Sequence, residues 1–476
     1  DLDAHEGNIY LESAGDILDT DDFDTDLTAA GVALVAENNI GQLGGNNSGA
    51  LNLQADSLAA VAKGTEGMNL GVALGIAVET VRSATDNTKS AVVEEVSADA
   101  TTAKTELALL SDLRTEIRGD SSGSDGSIVL VSTGSLTLRD GHTTGSGTAN
   151  SAVSANGSGN VLLETLGADT TLTAESNAGI SSGTGNLTVK ANGTVDLQDG
   201  VAVATAGSGT ITLLASTGDL TMDPTATVDT VNGNQILDAG NSVDDQLVVG
   251  DLTATAANIS LTTTGSVLDA DDASSGDDTD TDITATNLRI VAGKGIGLLS
   301  GNSLSEPVNA LETDVALLAA KATGSDGIHI VEADGLTIGD TGDISTIEVG
   351  SAGTTSTRTA PSLSDLVTTA TNGANGSIVL QLTAGDLTLQ DGTAPDDNTA
   401  VSANGSGNIL LETLGANTAL TAESNAGISS GTGNLTVKAN GTVDLQDGVA
   451  LATAGSGTIT LLASTGDLTM DPTATV

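Results

Sequence analysis

Two acidic runs contain the residues whose types and spacing could do chemistry. Each run has three aspartates at alternate positions, and the spacing is the same in both. These aspartates are Asp22, Asp24, Asp26, Asp278, Asp280 and Asp282. On a β-strand, alternate side chains share one face at a separation of roughly 7 Å. Carboxylates that close repel one another unless water or a hard cation such as Ca²⁺ offsets the repulsion, so the spacing predicts either a solvated acidic corner or a calcium site.

Known calcium-loop patterns match these runs only in part. The Asp-x-Asp-x-Asp spacing resembles the opening of an EF-hand loop, but Leu27 and Ile283 stand where that loop requires Gly. Ala33 and Arg289 stand where it requires the closing Glu. The Gly-rich nonapeptide calcium repeat is missing from the sequence as well. Both interpretations of the acidic runs therefore stay open, and Ca²⁺ is the one cofactor that the sequence suggests.

Residues suited to catalysis are sparse in this sequence. His5, His142 and His329 have no nucleophile at a suitable spacing, and each is predicted to be a surface imidazole. Polysaccharide-cleaving β-helix enzymes need paired carboxylates or a base near a metal, usually with aromatic residues for sugar stacking. Tyr10 and Phe23 are the only aromatic residues of the chain. The sequence therefore predicts no catalytic residues and a protein that is not an enzyme.

The elements that must position these residues are repeated along the chain. Residues 153–228 occur a second time at 401–476, with four differences. Within each repeat segment, apolar runs recur every 24 to 26 residues, as at Asn160, Asn186 and Thr210, and this is the range of a solenoid coil. Further matches divide the chain into two repeat units of about 250 residues, residues 1–248 and 249–476.

Each coil is predicted to consist of three short strands. Segments such as Gly218-Asp-Leu-Thr-Met222 alternate apolar and polar residues, which places Leu, Ile and Val on one face of a strand. Gly, Asn and Asp between the strands supply the positive φ of tight corners. With about 24 residues per coil, the sequence predicts an all-β parallel β-helix. Roughly 20 coils rising about 4.8 Å each would make a rod on the order of 95 Å long.

Residues 68–117 depart from this pattern. Leu107, Leu110, Leu113 and Ile117 have helical spacing, whereas the counterpart at 328–371 contains strand-like segments. One interpretation is a longer loop or short helix packed against the solenoid. The other is a protrusion that binds a partner.

Composition limits the partners of the chain. The formal net charge of −50 argues against nucleic acid and anionic membrane surfaces. No apolar run approaches the roughly 18 residues of a membrane span, and the absence of Cys excludes disulfides and thiolate metal sites. The first residues look like the middle of a coil, so we expect the chain to be a piece of a longer tandem protein.

A Gly-x-Ile-x-Leu…Gly-x-Leu-x-Leu pattern recurs in segments 126–138 and 209–222. This pattern resembles the repeats of filamentous-haemagglutinin-type bacterial surface proteins, and the likeness covers most of the chain except about 68–117. The resemblance implies a right-handed β-helix that is exported and forms a long rod at the cell surface, serving adhesion or the cell envelope. It transfers no functional residue to this chain.

One function is therefore expected, and a second is its alternative. The first is a structural extracellular rod, stalk or filament segment of a giant bacterial surface protein, whose partners are neighbouring repeats or other copies of itself, joined end to end or laterally. The second is an adhesin or a calcium-organised matrix-binding module, whose partner is another cell surface or matrix.

Overall fold

The computed structural model describes residues 1–19, 24–44, 49–84, 86–116, 126–141, 150–271, 280–299, 310–369, 376–392 and 398–476. These residues form β-strands, turns and loops, and none of them lies in a helix.

The first 22 strands cover the chain up to Ala239. They are β1 Leu2–Asp3, β2 Asn8–Ser13, β3 Leu27–Ala36, β4 Leu51–Ala62, β5 Gly67–Val72, β6 Ile76–Val78, β7 Ala91–Val96, β8 Thr102–Leu107, β9 Leu113–Thr115, β10 Ser127–Ser132, β11 Leu136–Leu138, β12 Val153–Ala155, β13 Val161–Thr165, β14 Leu172–Ala174, β15 Ile180–Ser182, β16 Leu187–Ala191, β17 Val195–Leu197, β18 Ala202–Thr205, β19 Ile211–Ala215, β20 Leu220–Met222, β21 Thr227–Thr230 and β22 Gln235–Ala239.

The remaining strands begin at Leu247. They are β23 Leu247–Val249, β24 Asp251–Thr263, β25 Val267–Asp269, β26 Ile283–Ala292, β27 Gly295–Ile296, β28 Leu311–Ala322, β29 Gly327–Glu332, β30 Leu336–Ile338, β31 Ile344–Val349, β32 Thr355–Ala360, β33 Leu366–Thr368, β34 Ile378–Leu382, β35 Leu387–Leu389, β36 Thr399–Ala403, β37 Ile409–Thr413, β38 Leu420–Ala422, β39 Gly427–Ser430, β40 Leu435–Ala439, β41 Val443–Leu445, β42 Leu451–Thr453, β43 Ile459–Ala463 and β44 Leu468–Met470.

The chain divides into two compact units that do not follow sequence order. Unit 1 comprises Asp1–Thr217, Thr225–Gly233 and Thr346–Arg358. Unit 2 comprises Gly218–Pro224, Asn234–Ser345 and Thr359–Val476. The division of the sequence into repeat units 1–248 and 249–476 is a separate matter and stays a prediction.

Parallel strand pairs stack the coils of unit 1. β13 pairs with β16 and β16 with β19, so that Val161 lies opposite Leu187 and Leu187 opposite Ile211. The same relation links β14 to β17, β15 to β18, and β18 to β21. In this stretch a strand therefore pairs with the strand three places further on, because each of these coils contributes three strands. This arrangement confirms the predicted parallel β-solenoid.

Alternation within the short strands builds a thin aliphatic core. In β17, Val195 and Leu197 are fully buried, while Asp196 between them is half-buried on the outer side. Burying a Val or Leu side chain contributes about 1.5–3 kcal/mol. Repeating this pattern at every coil stabilises unit 1 without a large aromatic centre.

Unit 2 has the same kind of parallel ladder, with coils of variable length. One ladder runs through β34, β37, β40 and β43, with Ile378, Ile409, Leu435 and Ile459 in register. Earlier in the unit, β24, β26 and β28 are long strands of 13, 10 and 12 residues that pair in parallel. Longer strands and loops account for coils that exceed the predicted 24 residues.

Glycine is required at one corner of the coils because the backbones approach closely there. A Cβ atom on Gly185 would lie 2.1 Å from the carbonyl oxygen of Gly159. Gly433 stands in the same relation to Gly407, also at 2.1 Å. Any side chain at these positions would push adjacent coils apart.

The predicted helical option for residues 68–117 is wrong. Residues 68–72 and 76–78 belong to solenoid strands β5 and β6, and the irregular part is an antiparallel hairpin of β7 and β8. Leu107 ends β8 and Leu113 begins β9, so their apparent helical spacing arises from two extended segments separated by a turn. Ile117 lies outside the described residues.

Candidate functional site

The structure describes four of the six predicted aspartates. Asp22 and Asp278 lie outside the described residues. Asp24 and Asp280 are exposed and precede their strands, and Asp26 immediately precedes β3. Asp282 immediately precedes β26 and is the one described member that belongs to a buried carboxylate cluster. The calcium site that the sequence suggests in each acidic run therefore stays a prediction.

The buried carboxylate cluster consists of Asp269, Asp282 and Glu312, all in unit 2. Asp269 ends β25, Asp282 precedes β26, and Glu312 is the second residue of β28. Their relative exposures are only 4%, 6% and 4%. One carboxylate oxygen from each residue lies within 4.8 Å of the others. The three acids therefore meet inside the protein although they are far apart in the sequence.

Backbone pairing between adjacent coils fixes two members of this cluster. The Asp282 N–H donates to the Glu312 carbonyl oxygen at 3.0 Å. The Glu312 N–H in turn donates to Asp282 Oδ2 at 2.8 Å. Asp282 is therefore held by the same ladder that aligns β26 with β28.

The electrostatics of the cluster favour a bound proton or cation. Burial raises the pKa of Asp282 far above its ordinary value, and the charge of Asp269 raises it further. The N–H of Glu312 opposes this rise, while the Glu312 carboxylate adds to it. Hydrogen bonding with the Asp269 side chain also raises the pKa of Asp282, since such a bond between two carboxyl groups holds a proton.

The donor set also fits a hard cation. Ca²⁺ binds six to eight oxygen ligands at about 2.3–2.6 Å, and three carboxylates can supply up to six oxygens. A divalent cation would take over the role of the shared proton. The cluster therefore has two alternative means of charge compensation, and they differ in their response to pH and to metal.

Unit 1 contains a weaker version of the same arrangement. Asp26 Oδ2 accepts the N–H of Asn52 at 2.8 Å, just as Asp282 accepts that of Glu312. Asp19 stands at the position that corresponds to Asp269 and is half-buried. An amide thus replaces the third carboxylate in unit 1, which makes this site a natural comparison.

Asp269 and Glu312 were not among the site residues predicted from the sequence. Asp269 opens the second acidic run, but its spacing from Asp282 matches no metal-binding motif. Glu312 follows Leu311 at the start of a mostly buried strand. A charged residue in such a strand is the one signal that could have drawn attention to it.

Glu332 is a second buried carboxylate in unit 2. Its oxygens accept the O–H of Thr313 at 2.7 Å and the N–H groups of Val315 and Asp334 at 3.1 and 3.3 Å. Burial nevertheless raises the pKa of Glu332 to about 8, with the nearby Asp314 adding to the effect. Val72 occupies the corresponding position in β5, so this acid is absent from the equivalent coil of unit 1.

The three histidines lie in different surroundings. His5 is exposed, and its Nδ1 lies 2.6 Å from Asp3 Oδ1. His142 lies outside the described residues. The expectation of a surface imidazole is wrong for His329, which is only 6% exposed. It lies in β29, which is paired with β27 and β34.

A surface hollow of about 280 Å³ in unit 1 is lined in part by Glu79, Arg139 and Asp140. The Arg139 guanidinium lies 2.9 Å from Glu79 and 2.9 Å from Glu175. These two carboxylates raise the pKa of Arg139. The arginine therefore links strands of adjacent coils through ion pairs.

The fold defines the chain as a parallel β-solenoid protein. No family model, curated protein or solved structure matches it. Within the described residues, no helix has the length and apolar character needed to cross a membrane.

Proposed function

We propose that the chain is a structural segment of an extracellular rod, stalk or filament of a giant bacterial surface protein, and that it performs no catalysis. The continuous parallel ladder within each unit carries this proposal. In unit 2, β34, β37, β40 and β43 stay in register from coil to coil. Each ladder hydrogen bond contributes about 0.5–1.5 kcal/mol. Separating two coils breaks a whole row of such bonds, a property suited to bearing load.

The charge of the chain is consistent with this role. A net charge of −50 keeps neighbouring surfaces apart and favours solubility in a saline medium. Assembly with other copies of the chain is part of the proposal. Support for a cell-surface location comes from the sequence resemblance to filamentous-haemagglutinin-type repeats.

Electron microscopy of the purified chain tests the structural role. The proposal expects particles several times longer than wide, with a width equal to one coil. Compact particles of nearly equal dimensions would contradict it. Single-molecule stretching adds a second readout, in which a structural segment yields only when rows of ladder hydrogen bonds break together.

The Asp269–Asp282–Glu312 cluster favours a second candidate function, a calcium-organised module that binds a matrix or another cell surface. Thermal unfolding with and without millimolar Ca²⁺ tests it. This function would be supported if Ca²⁺ raised the unfolding temperature of the wild type and of Asp26→Asn but not that of Asp282→Asn. Equal unfolding temperatures with and without Ca²⁺ would remove it.

A further inference from the structure

A segment of chain covers one outer face of unit 1. The Val349 N–H donates to Thr188 Oγ1 at 2.9 Å, and the Ile347 N–H donates to Thr210 Oγ1 at 2.8 Å. Val349 is only 1% exposed and packs against Leu162. We call Leu162, Thr188 and Thr210 the covered face. The two threonine hydroxyls accept backbone N–H groups, so this part of the contact does not depend on which side chains the segment carries.

The repeat segment at 401–476 reproduces this face. Leu410, Thr436 and Thr458 stand at the positions that correspond to the covered face, and we call them the open face. Leu410 and Thr436 are half-buried, and Thr458 is exposed. The residues of the open face are thus the same as those of the covered face, but they are more accessible.

The β7–β8 hairpin has the same turn as the segment on the covered face. In this hairpin the Ser97 N–H donates to the Thr101 carbonyl oxygen at 2.8 Å. The Gly350 N–H donates to the Thr354 carbonyl oxygen in the same way, at 2.7 Å. The number of residues between the strands is also the same, so β7 corresponds to β31 residue by residue.

Because β7 corresponds to β31, it has backbone N–H donors like those that bind the covered face. Val96 and Glu94 stand at the positions of Val349 and Ile347. Because the Ser97 N–H points toward β8, alternation along an antiparallel pair directs the N–H groups of Val96 and Glu94 away from β8. The Val96 side chain is 71% exposed. The hairpin therefore presents an apolar side chain and outward N–H groups at the spacing used on the covered face.

We propose that the β7–β8 hairpin of one molecule docks onto the open face of a second molecule of the same chain. Val96 packs against Leu410, and the outward N–H groups donate to Thr436 and Thr458. The inference rests on the proposed structural role and identifies the surfaces through which copies assemble. Because hairpin and face are different surfaces, the contact is heterologous and propagates from molecule to molecule.

The absence of cysteine from the chain permits a direct cross-linking test. A Val96→Cys chain is mixed with a Leu410→Cys chain and oxidised. A disulfide forms only when the two Cα atoms come within about 7 Å. Leu414→Cys is the matched control, since the corresponding Leu166 remains 51% exposed beside the covered face and so lies outside the contact.

The proposal expects a mixed disulfide between Val96→Cys and Leu410→Cys at a yield at least tenfold above that with Leu414→Cys. Adding Thr436→Val should lower the yield about two- to tenfold, because one hydrogen-bond acceptor is lost. Equal yields at positions 410 and 414 would overturn the proposal. Electron microscopy of single chains still decides the structural role in that case, so failure of the contact and failure of the role are distinguishable.

Sedimentation of the unmodified chain provides a second test. Charge repulsion between molecules weakens as salt rises, so the proposal expects association that increases with salt and chain concentration. Leu410→Asp should abolish this association, and Leu414→Asp should preserve it. Association that persists in Leu410→Asp, or none in the wild type at any salt, would contradict docking at the open face.

Discussion

Replacing Glu332 by Gln should remove a large pH dependence from the stability of unit 2. The wild-type carboxyl group is 0% exposed, and its pKa is about 8 in the folded protein. A glutamate in an unfolded chain has a pKa of about 4.3. Gln has nearly the same shape, keeps an oxygen acceptor for Thr313 or Val315, and carries no titrating proton.

The sign of the effect follows from the raised pKa. Between about pH 4.3 and pH 8 the folded state holds a proton that the unfolded state has released. The stability that Glu332 contributes is therefore fully present below about pH 4.3 and is lost as pH rises through 8. With about 1.4 kcal/mol for each pH unit, the full span amounts to on the order of 5 kcal/mol.

Hydrogen exchange in β28 and β29 measures this effect where it arises. Comparing the variant with the wild type at the same pH cancels the intrinsic pH dependence of exchange. The protection of the variant relative to the wild type should rise between pH 5 and pH 8 by up to about 10³-fold, since 1.4 kcal/mol corresponds to tenfold. A ratio that stays constant over this range would refute the reasoning. Glu66→Gln, at an exposed position, is the control for which a constant ratio is expected.

Three further substitutions test other parts of the structure. Gly185→Ala should lower the free energy of unfolding in urea by about 3 kcal/mol, because its Cβ would lie 2.1 Å from a carbonyl oxygen. Gly15→Ala should be nearly neutral, because the atom nearest to its Cβ is 3.9 Å away. Equal losses of stability would contradict the close approach of the backbones at Gly185. Val349→Ala should lower the protection of residues 346–358 against hydrogen exchange by about 1–2 kcal/mol, because part of a buried apolar side chain is lost. Unchanged hydrogen exchange would contradict the packing of Val349. Asp282→Asn should make the calcium-free protein more stable than the wild type, and the difference should grow as pH rises toward 9, because the raised pKa of Asp282 makes its ionisation costly. A difference in unfolding temperature that does not change with pH would contradict this.

Much of the fold could be predicted because the solenoid is encoded locally. The alternation in segments such as 126–138 defines which side chains face inward, and the return of the pattern after one coil defines the stacking. The helical option for 68–117 was wrong because apolar residues spaced by three or four also occur where strands are separated by a turn. Leu107 and Leu113 illustrate this, since they lie at the end and the start of two different strands.

The candidate site was predicted only in part. Asp282 could be singled out from its acidic run, but its partners Asp269 and Glu312 are 13 and 30 residues away and approach it only through coil stacking. Their meeting depends on coil lengths, which vary in this region and have no clear signature in the sequence. The burial of His329 also escaped prediction, because it depends on the strands that pair with β29 on its two sides.

The central claim is that successive coils stack in parallel and in register, and engineered disulfides test it most directly. Ser154 and Ser181 lie on adjacent coils with their Oγ atoms 3.1 Å apart, and Ser402 and Ser429 repeat this pair at 3.2 Å. In this cysteine-free chain, replacing both members of either pair by Cys should give a rapid intrachain disulfide. Cys at positions 154 and 204, two coils apart, should give none. Failure of both adjacent pairs to close, or equal closure of the distant pair, would contradict the stacked solenoid.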